Sequence, residues 1–232
     1  DFGFQGERPS HPELLDWLAA ELIRNQWRLK PIRKLIMTSS VYMQQSEFSD
    51  AKNAKDPRNR WLWRFSPRRL EAEVIRDSML SVSGELDARQ FGPGSLDESM
   101  RRRSIYFMIK RSRLVPIMQV FDSPEPLASV GKRPSTTIAP QALVFMNHPQ
   151  VRRYAHAFSK KIASKDPLET IDTAYMTAVS RYPTAQERAG MLAFFERQVE
   201  SYLAESNAEA TQLAVADLCQ VLMSLNEFVY LN

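Results

Sequence analysis

The chain has 232 residues, 44% hydrophobic and 25% charged, which suits a folded globular protein and excludes a disordered or fibrous one. Its 31 Lys and Arg against 27 Asp and Glu leave a formal net charge of +4, too mild an excess to demand an anionic partner. No apolar run approaches the roughly 18 residues of a membrane span, and 14 Pro against 7 Gly points to helices opened by proline rather than to a sheet with many glycine turns.

In chain order, Ser10-His11-Pro12-Glu13 reads as a capping box with proline in the first turn, so a helix is expected there. Leu14, Leu15, Trp17, Leu18, Leu22 and Ile23 give it one broad apolar face. Lys30-Pro31 opens a second helix carrying Ile32, Leu35, Ile36 and Tyr42, and the short link makes the two antiparallel neighbours. Residues 46–60 read as a polar loop before Trp61, Trp63 and Phe65. Ser66-Pro67 restarts a helix with Leu70, Val74, Ile75, Met79 and Val82 in register, ended by Gly84 in the left-handed conformation.

Residues 85–103, with Gly92-Pro93-Gly94 and Arg101-Arg102-Arg103, read as a mobile loop. Ser104 to Lys110 is the one plausible strand, although both alternating sets are bulky and an extended segment wedged between helices fits equally. A short apolar stretch at 114–121 leads to a proline-rich loop over 122–134. Helices are then expected through Pro140 to Phe145, stopped by Asn147-His148-Pro149, and onward to about Ala163. Asp166-Pro167-Leu168-Glu169 and Thr184-Ala185-Gln186-Glu187 are further capping boxes. A last helix uses Leu213, Leu218, Val221, Leu222 and Leu225 and ends at Asn226-Glu227-Phe228. The resulting expectation is an all-α, irregular multi-helix bundle with long loops and at most one short extended segment, forming a single helical domain over residues 1–232.

Several candidate sites emerge. Arg101 to Arg103 and Lys110-Arg111-Ser112-Arg113, with Tyr106 and Phe107 between them, combine charge with stacking surface; Arg103, Tyr106 and Arg111 are candidates for binding a nucleic acid, polysaccharide or other polyanion. Asp122, Arg133, Thr136 and Thr137 could form an anion pocket at a helix start, against the plainer reading of threonine N-caps. A polymer-acting enzyme would gather Asp122 and Arg133 in a deep pocket with a shifted carboxylate. Among Arg68, Arg69, Glu71, Glu73, Arg76 and Asp77, structural ion pairing such as Arg69 with Glu73 is expected, because interleaved arginines keep both carboxylates ionised. His11, His148 and His156 form no metal-ligand spacing, and lone Cys219, on an apolar helix, is expected as a buried small hydrophobe; no catalytic residue or metal ligand is assigned.

A set of ordered stretches resembles the planctomycete PSD-type domain, domain of unknown function 1553. It runs through Asp1-Phe2-Gly3, His11 to Leu18, Leu35-Ile36-Met37, Asp56-Pro57 with Asn59-Arg60, Arg68 to Glu73 with Ile75-Arg76-Asp77, Phe121-Asp122, Thr136-Thr137 with Pro140 to Leu143, Arg181 with Pro183-Thr184 and Glu187, and Asn226-Glu227-Phe228. The resemblance implies a C-terminal piece of a large exported protein, periplasmic or at the cell surface, with haem c in an upstream domain and other domains of the same polypeptide as partners. It also implies that the chain begins inside the family's domain, in keeping with a first residue, Asp1, that is not Met. The chain itself has no Cys-x-x-Cys-His, so no covalent haem is expected in it. The function so implied is that of a binding or scaffolding module.

Overall fold

The computed structural model describes residues 3–127, 130–131 and 133–231. Among these, eleven α-helices and one two-stranded sheet make the chain mostly α-helical. It divides into two compact units, the residues up to Arg68 and then Arg69–Leu231.

The first unit holds α1 (Pro12–Arg24), α2 (Leu29–Met37) and α3 (Asp50–Lys55). Helix α1 starts where Pro12 allows it, but the Ser10 hydroxyl meets the His11 ring at 2.9 Å and makes no cap, so the expected capping box is absent. Between α1 and α2 the chain reverses through Gln26 and Trp27, both at positive φ. Helix α2 stops at Met37, before Tyr42, where the Thr38 hydroxyl bonds back to Lys34 O at 2.9 Å. Helix α3 lies in the stretch expected as loop; Ser49 accepts the Lys52 N–H at its start.

The closing turn of this unit is organised by Asp56, its one buried residue among those described. The carboxylate accepts the N–H groups of Arg60 (2.9 Å) and Trp61 (2.7 Å), and its carbonyl accepts Trp63 Nε1 at 3.0 Å. Arg64 then lies over both Phe48 and Trp63, about 5 Å from each ring. Helices α1 and α2 contain no buried residue, so Leu14, Leu15, Trp17, Ile23, Ile36 and Met37 stay exposed.

The second unit begins at Arg69, within β1 (Arg68–Arg69), which pairs with β2 (Tyr230–Leu231). This short extended pairing replaces the helix start expected at Ser66-Pro67; α4 spans Ala72–Ser83 and ends, as expected, at Gly84 with φ 76°. Then come α5 (Pro116–Val120), α6 (Ala139–Asn147), α7 (Pro149–Ile162), α8 (Pro167–Val179), α9 (Ala185–Ala204), α10 (Ala210–Met223) and α11 (Asn226–Val229). Helix α7 buries Val151, Tyr154, Ala155, Phe158 and Ile162, the three-and-four spacing of one face. Helix α10 is buried more fully and packs on α7, α8 and α9; Ala210, Ala214, Ala216 and Cys219 are small, which lets its neighbours approach closely. It ends at Met223, and Asn226-Glu227-Phe228 forms the separate α11.

Two N-termini test the cap readings. Thr184 and Glu187 form the reciprocal box at α9, Glu187 N–H to Thr184 Oγ1 at 3.2 Å and Thr184 N–H to Glu187 Oε2 at 2.7 Å. At α8, Asp166 accepts the Leu168 N–H at 2.9 Å, but Glu169 turns to the Ser164 hydroxyl, so that box is half made.

Residues 85–115 are irregular but held from within. Arg76, 2% exposed on α4, donates to the carbonyls of Met100 and Arg102 (3.1 Å for the latter) and to Ser104 Oγ at 3.1 Å, with its guanidinium 4.6 Å from the Phe107 ring centre. Next to it, Asp77 accepts the Ser104 N–H and hydroxyl, both at 2.7 Å. Arg102 is buried too, donating to the carbonyls of Phe91 and Pro93 while lying 3.6 Å over the Tyr106 ring. The expected strand at 104–110 is instead a 3-10 turn, Ser104–Tyr106, followed by an isolated bridge from Phe107 to Ser95. Chain bonding to buried arginine carries this region, not a ladder.

Replacing Arg76 by Met keeps the stem but leaves the Met100 and Arg102 carbonyls without their donor; a loss of about 2–4 kcal/mol in urea unfolding is expected, against under about 0.5 kcal/mol for Arg101→Met. Equal small losses for both would refute that ranking. An acid dependence follows from Glu187, whose carboxyl is held at about 2, below its ordinary 4.5, chiefly by hydrogen bonds from Arg181 and then from the Thr184 N–H. A depressed carboxyl stabilises the fold fully above pH 4.5 and loses that effect as pH falls toward 2. Melting curves of Glu187→Gln should therefore approach those of the parent chain across this window, with the gap widest above it.

Candidate binding site

Four of the sequence-picked residues lie around one corner of the second unit, where the chain leaves α5. Asp122 has φ 61°, a left-handed conformation that Asp tolerates better than most residues. Its carboxylate meets Arg69 at 2.5 Å, the Thr136 N–H at 2.8 Å and the Thr136 hydroxyl at 2.9 Å. The Arg69 side chain is 4% exposed and lies over Phe121. Gln141, buried on α6, reaches the Val120 carbonyl at 3.0 Å and Thr136 Oγ1 at 3.3 Å. Thr137 meets the Tyr230 hydroxyl at 3.2 Å. Asp122 and both threonines are thus spent on joining β1, the end of α5, α6 and the C-terminal strand.

The pairing expected between Arg69 and Glu73 is not made. Arg69 takes Asp122, and Glu73 takes Arg133 at 2.8 Å, with Glu71 also 3.2 Å from Arg133. Local i,i+4 spacing offered a weak surface pair; the fold offers Arg69 a partly buried carboxylate 53 positions away, and a nearly enclosed charge gains far more from its partner than an exposed one. The hydrogen bond from Arg133 to Glu73 raises the guanidinium pKa further.

The basic runs separate in the same way. Arg101 pairs with Glu85 at 3.3 Å, Arg102 is buried, and Arg103 lies 3.4 Å from Asp77. The Tyr106 hydroxyl accepts the Phe91 N–H at 2.7 Å and its ring is covered by Arg102, so it offers no free stacking face on that side. Arg111 stands exposed at the tip of the turn between Lys110 and Arg113.

Beside this turn is a cleft of about 320 Å³ with Phe107, Leu114, Val115 and Met118 among its walls and Lys110, Arg113, Glu73 and Arg133 at its polar edge. Of the basic run and the anion-pocket residues expected from the sequence, Lys110, Arg113 and Arg133 line it, while Arg103, Tyr106, Arg111, Asp122, Thr136 and Thr137 do not. Its floor comes from the 114–121 apolar stretch, whose role was not legible before the 104–110 segment was seen to fold over it. Ile105 and Ile109, 71% and 81% exposed, extend the apolar surface outward.

Among the described residues no group of three or more His, Cys, Asp or Glu is placed to hold a metal, and no helix is long and apolar enough to cross a membrane. Cys219 is fully buried, and burial pushes its thiol well above the ordinary range. A single enclosed thiol does not fit covalent haem, which needs two cysteines and an axial histidine.

The architecture is that of a mostly α-helical domain with a small apolar cleft and an internally paired charge network. Residues 1–195 match the family described as PSD1, protein of unknown function (DUF1553), and the chain belongs to that family. The match ends within α9, so α10, the most buried helix of the second unit, lies beyond it. No curated protein and no solved structure matches the chain.

Asp122→Asn retains the backbone conformation and the shape but removes the charge facing Arg69. It should cost about 2–4 kcal/mol in chemical denaturation, because a nearly enclosed guanidinium loses its counter-charge, whereas Arg133→Met, at an exposed pair, should cost under about 1 kcal/mol.

Proposed function

We propose that this chain is a binding or scaffolding module whose partners are other domains of the same polypeptide, in an exported protein that carries haem c in an upstream domain and resides in the periplasm or at the cell surface. One observation carries the reading: within their own unit α1 and α2 bury none of their apolar residues fully. Trp27 and Trp61 are each 73% exposed, and Leu14, Trp17, Ile23 and Met37 are also exposed. Exposed apolar surface on this scale is an association surface rather than a solvated one.

Tryptophan is among the residues that most often dominate binding energy. Membership of the DUF1553 family, whose activity is unknown, is consistent with recognition and assigns no reaction. The planctomycete origin, the upstream haem and the exported compartment rest on the resemblance in sequence.

Adding the separately expressed neighbouring domains of the parent polypeptide should slow amide hydrogen exchange in α1 and α2 at least about tenfold, and Trp17→Ser with Ile36→Ser should weaken that association by about tenfold or more. Exchange in both helices that is unchanged by every neighbouring domain would end the proposal.

A further inference from the structure

We infer that the cleft of the second unit is a binding site for a small amphiphilic carboxylate, its apolar part against Phe107, Val115 and Met118 and its carboxylate between Lys110 and Arg113. The volume, about 320 Å³, falls at the lower end of the range for small-ligand sites, about 300–1,000 Å³. The walls are the side of the core that the chain leaves open: Val115 and Met118 belong to the hydrophobic core, and Phe107 packs against it.

The anion end is argued from backbone geometry. Lys110 and Arg113 face each other across a tight antiparallel bridge, with the Arg113 N–H donating to the Lys110 carbonyl at 3.1 Å. Residues opposed in such a bridge send their side chains to the same side, here the side that lines the cleft. Both side chains are exposed and neither takes part in an ion pair among the described residues, which leaves two cations at the cleft for one anion. Arg133, the other basic residue lining the cleft, is paired with Glu73 and Glu71. Two unneutralised cations at the mouth of an apolar cavity select a ligand with an apolar body and one acidic head.

The test is calorimetric titration of the full chain with sodium decanoate, 1-decanol and decyltrimethylammonium bromide, each below its aggregation concentration. Decanoate should bind one to one, at least about tenfold more tightly than decanol, with the cation weakest. The double variant Lys110→Glu, Arg113→Glu changes two exposed side chains and should lose decanoate binding at least about tenfold while its circular dichroism and melting temperature stay at parent values. Met118→Trp, which fills the cavity, should lose decanoate and decanol together. Equal binding of all three amphiphiles, no decanoate binding, or decanoate binding unchanged in the double variant would overturn the assignment. A capped tripeptide of apolar residues with a free C-terminus that binds more tightly than decanoate would overturn it in favour of a peptide terminus.

Discussion

The second unit depends on one buried cation. Arg76 stands on α4 with its guanidinium enclosed, and burial lowers its pKa because the charged form loses water. What compensates is a set of carbonyl oxygens and one hydroxyl from residues 100–104, together with the Phe107 ring and Asp77 at 3.8 Å. A chain segment without helix or ladder must still satisfy its carbonyls, and here the Arg102 fork does so for Phe91 and Pro93, as the Arg76 fork does for Met100 and Arg102. Because the same fork brings Phe107 against the core, it also fixes one wall of the cleft. The fold and the candidate site therefore share this constraint.

Around it, the charges are sorted by enclosure. Arg69 and Asp122 are nearly hidden and close the corner between β1, α5 and α6. Arg152 reaches from α7 to Asp217 on α10, whose other carboxylate oxygen accepts the Tyr202 hydroxyl of α9 at 2.9 Å. Arg181 bridges Glu187 and Glu227, linking the starts of α9 and α11. Each joint connects elements that are distant in sequence. With so many basic residues committed to such joints, a mild excess of positive charge is a poor guide to polyanion binding, and the two that remain uncommitted at the cleft carry more information than the total.

The two units differ in what their apolar residues achieve. In the second, α7 and α10 hide their apolar faces against one another and against α4, α8 and α9. In the first, α1 and α2 touch along Leu18, Leu22 and Ile32, which are half-buried, while the remaining apolar positions face outward. Periodicity marks the faces of both equally well. It does not say whether a face finds a partner, since that depends on what else is present to cover it.

Helix positions were largely determined by the sequence alone, because three-and-four spacing, proline starts at Pro12, Pro149 and Pro167, the Thr184 box and Gly84 act within a few residues of themselves. Membership of the family was legible in ordered short stretches for the same reason. Tertiary structure alone decided the rest. It turned Ser66-Pro67 toward a strand rather than a helix, gave Arg69 to Asp122 instead of Glu73, and hid Arg102 while leaving Lys110 and Arg113 at a cavity. The value of a charge depends on its enclosure and on partners far along the chain, and neither quantity is written in local sequence.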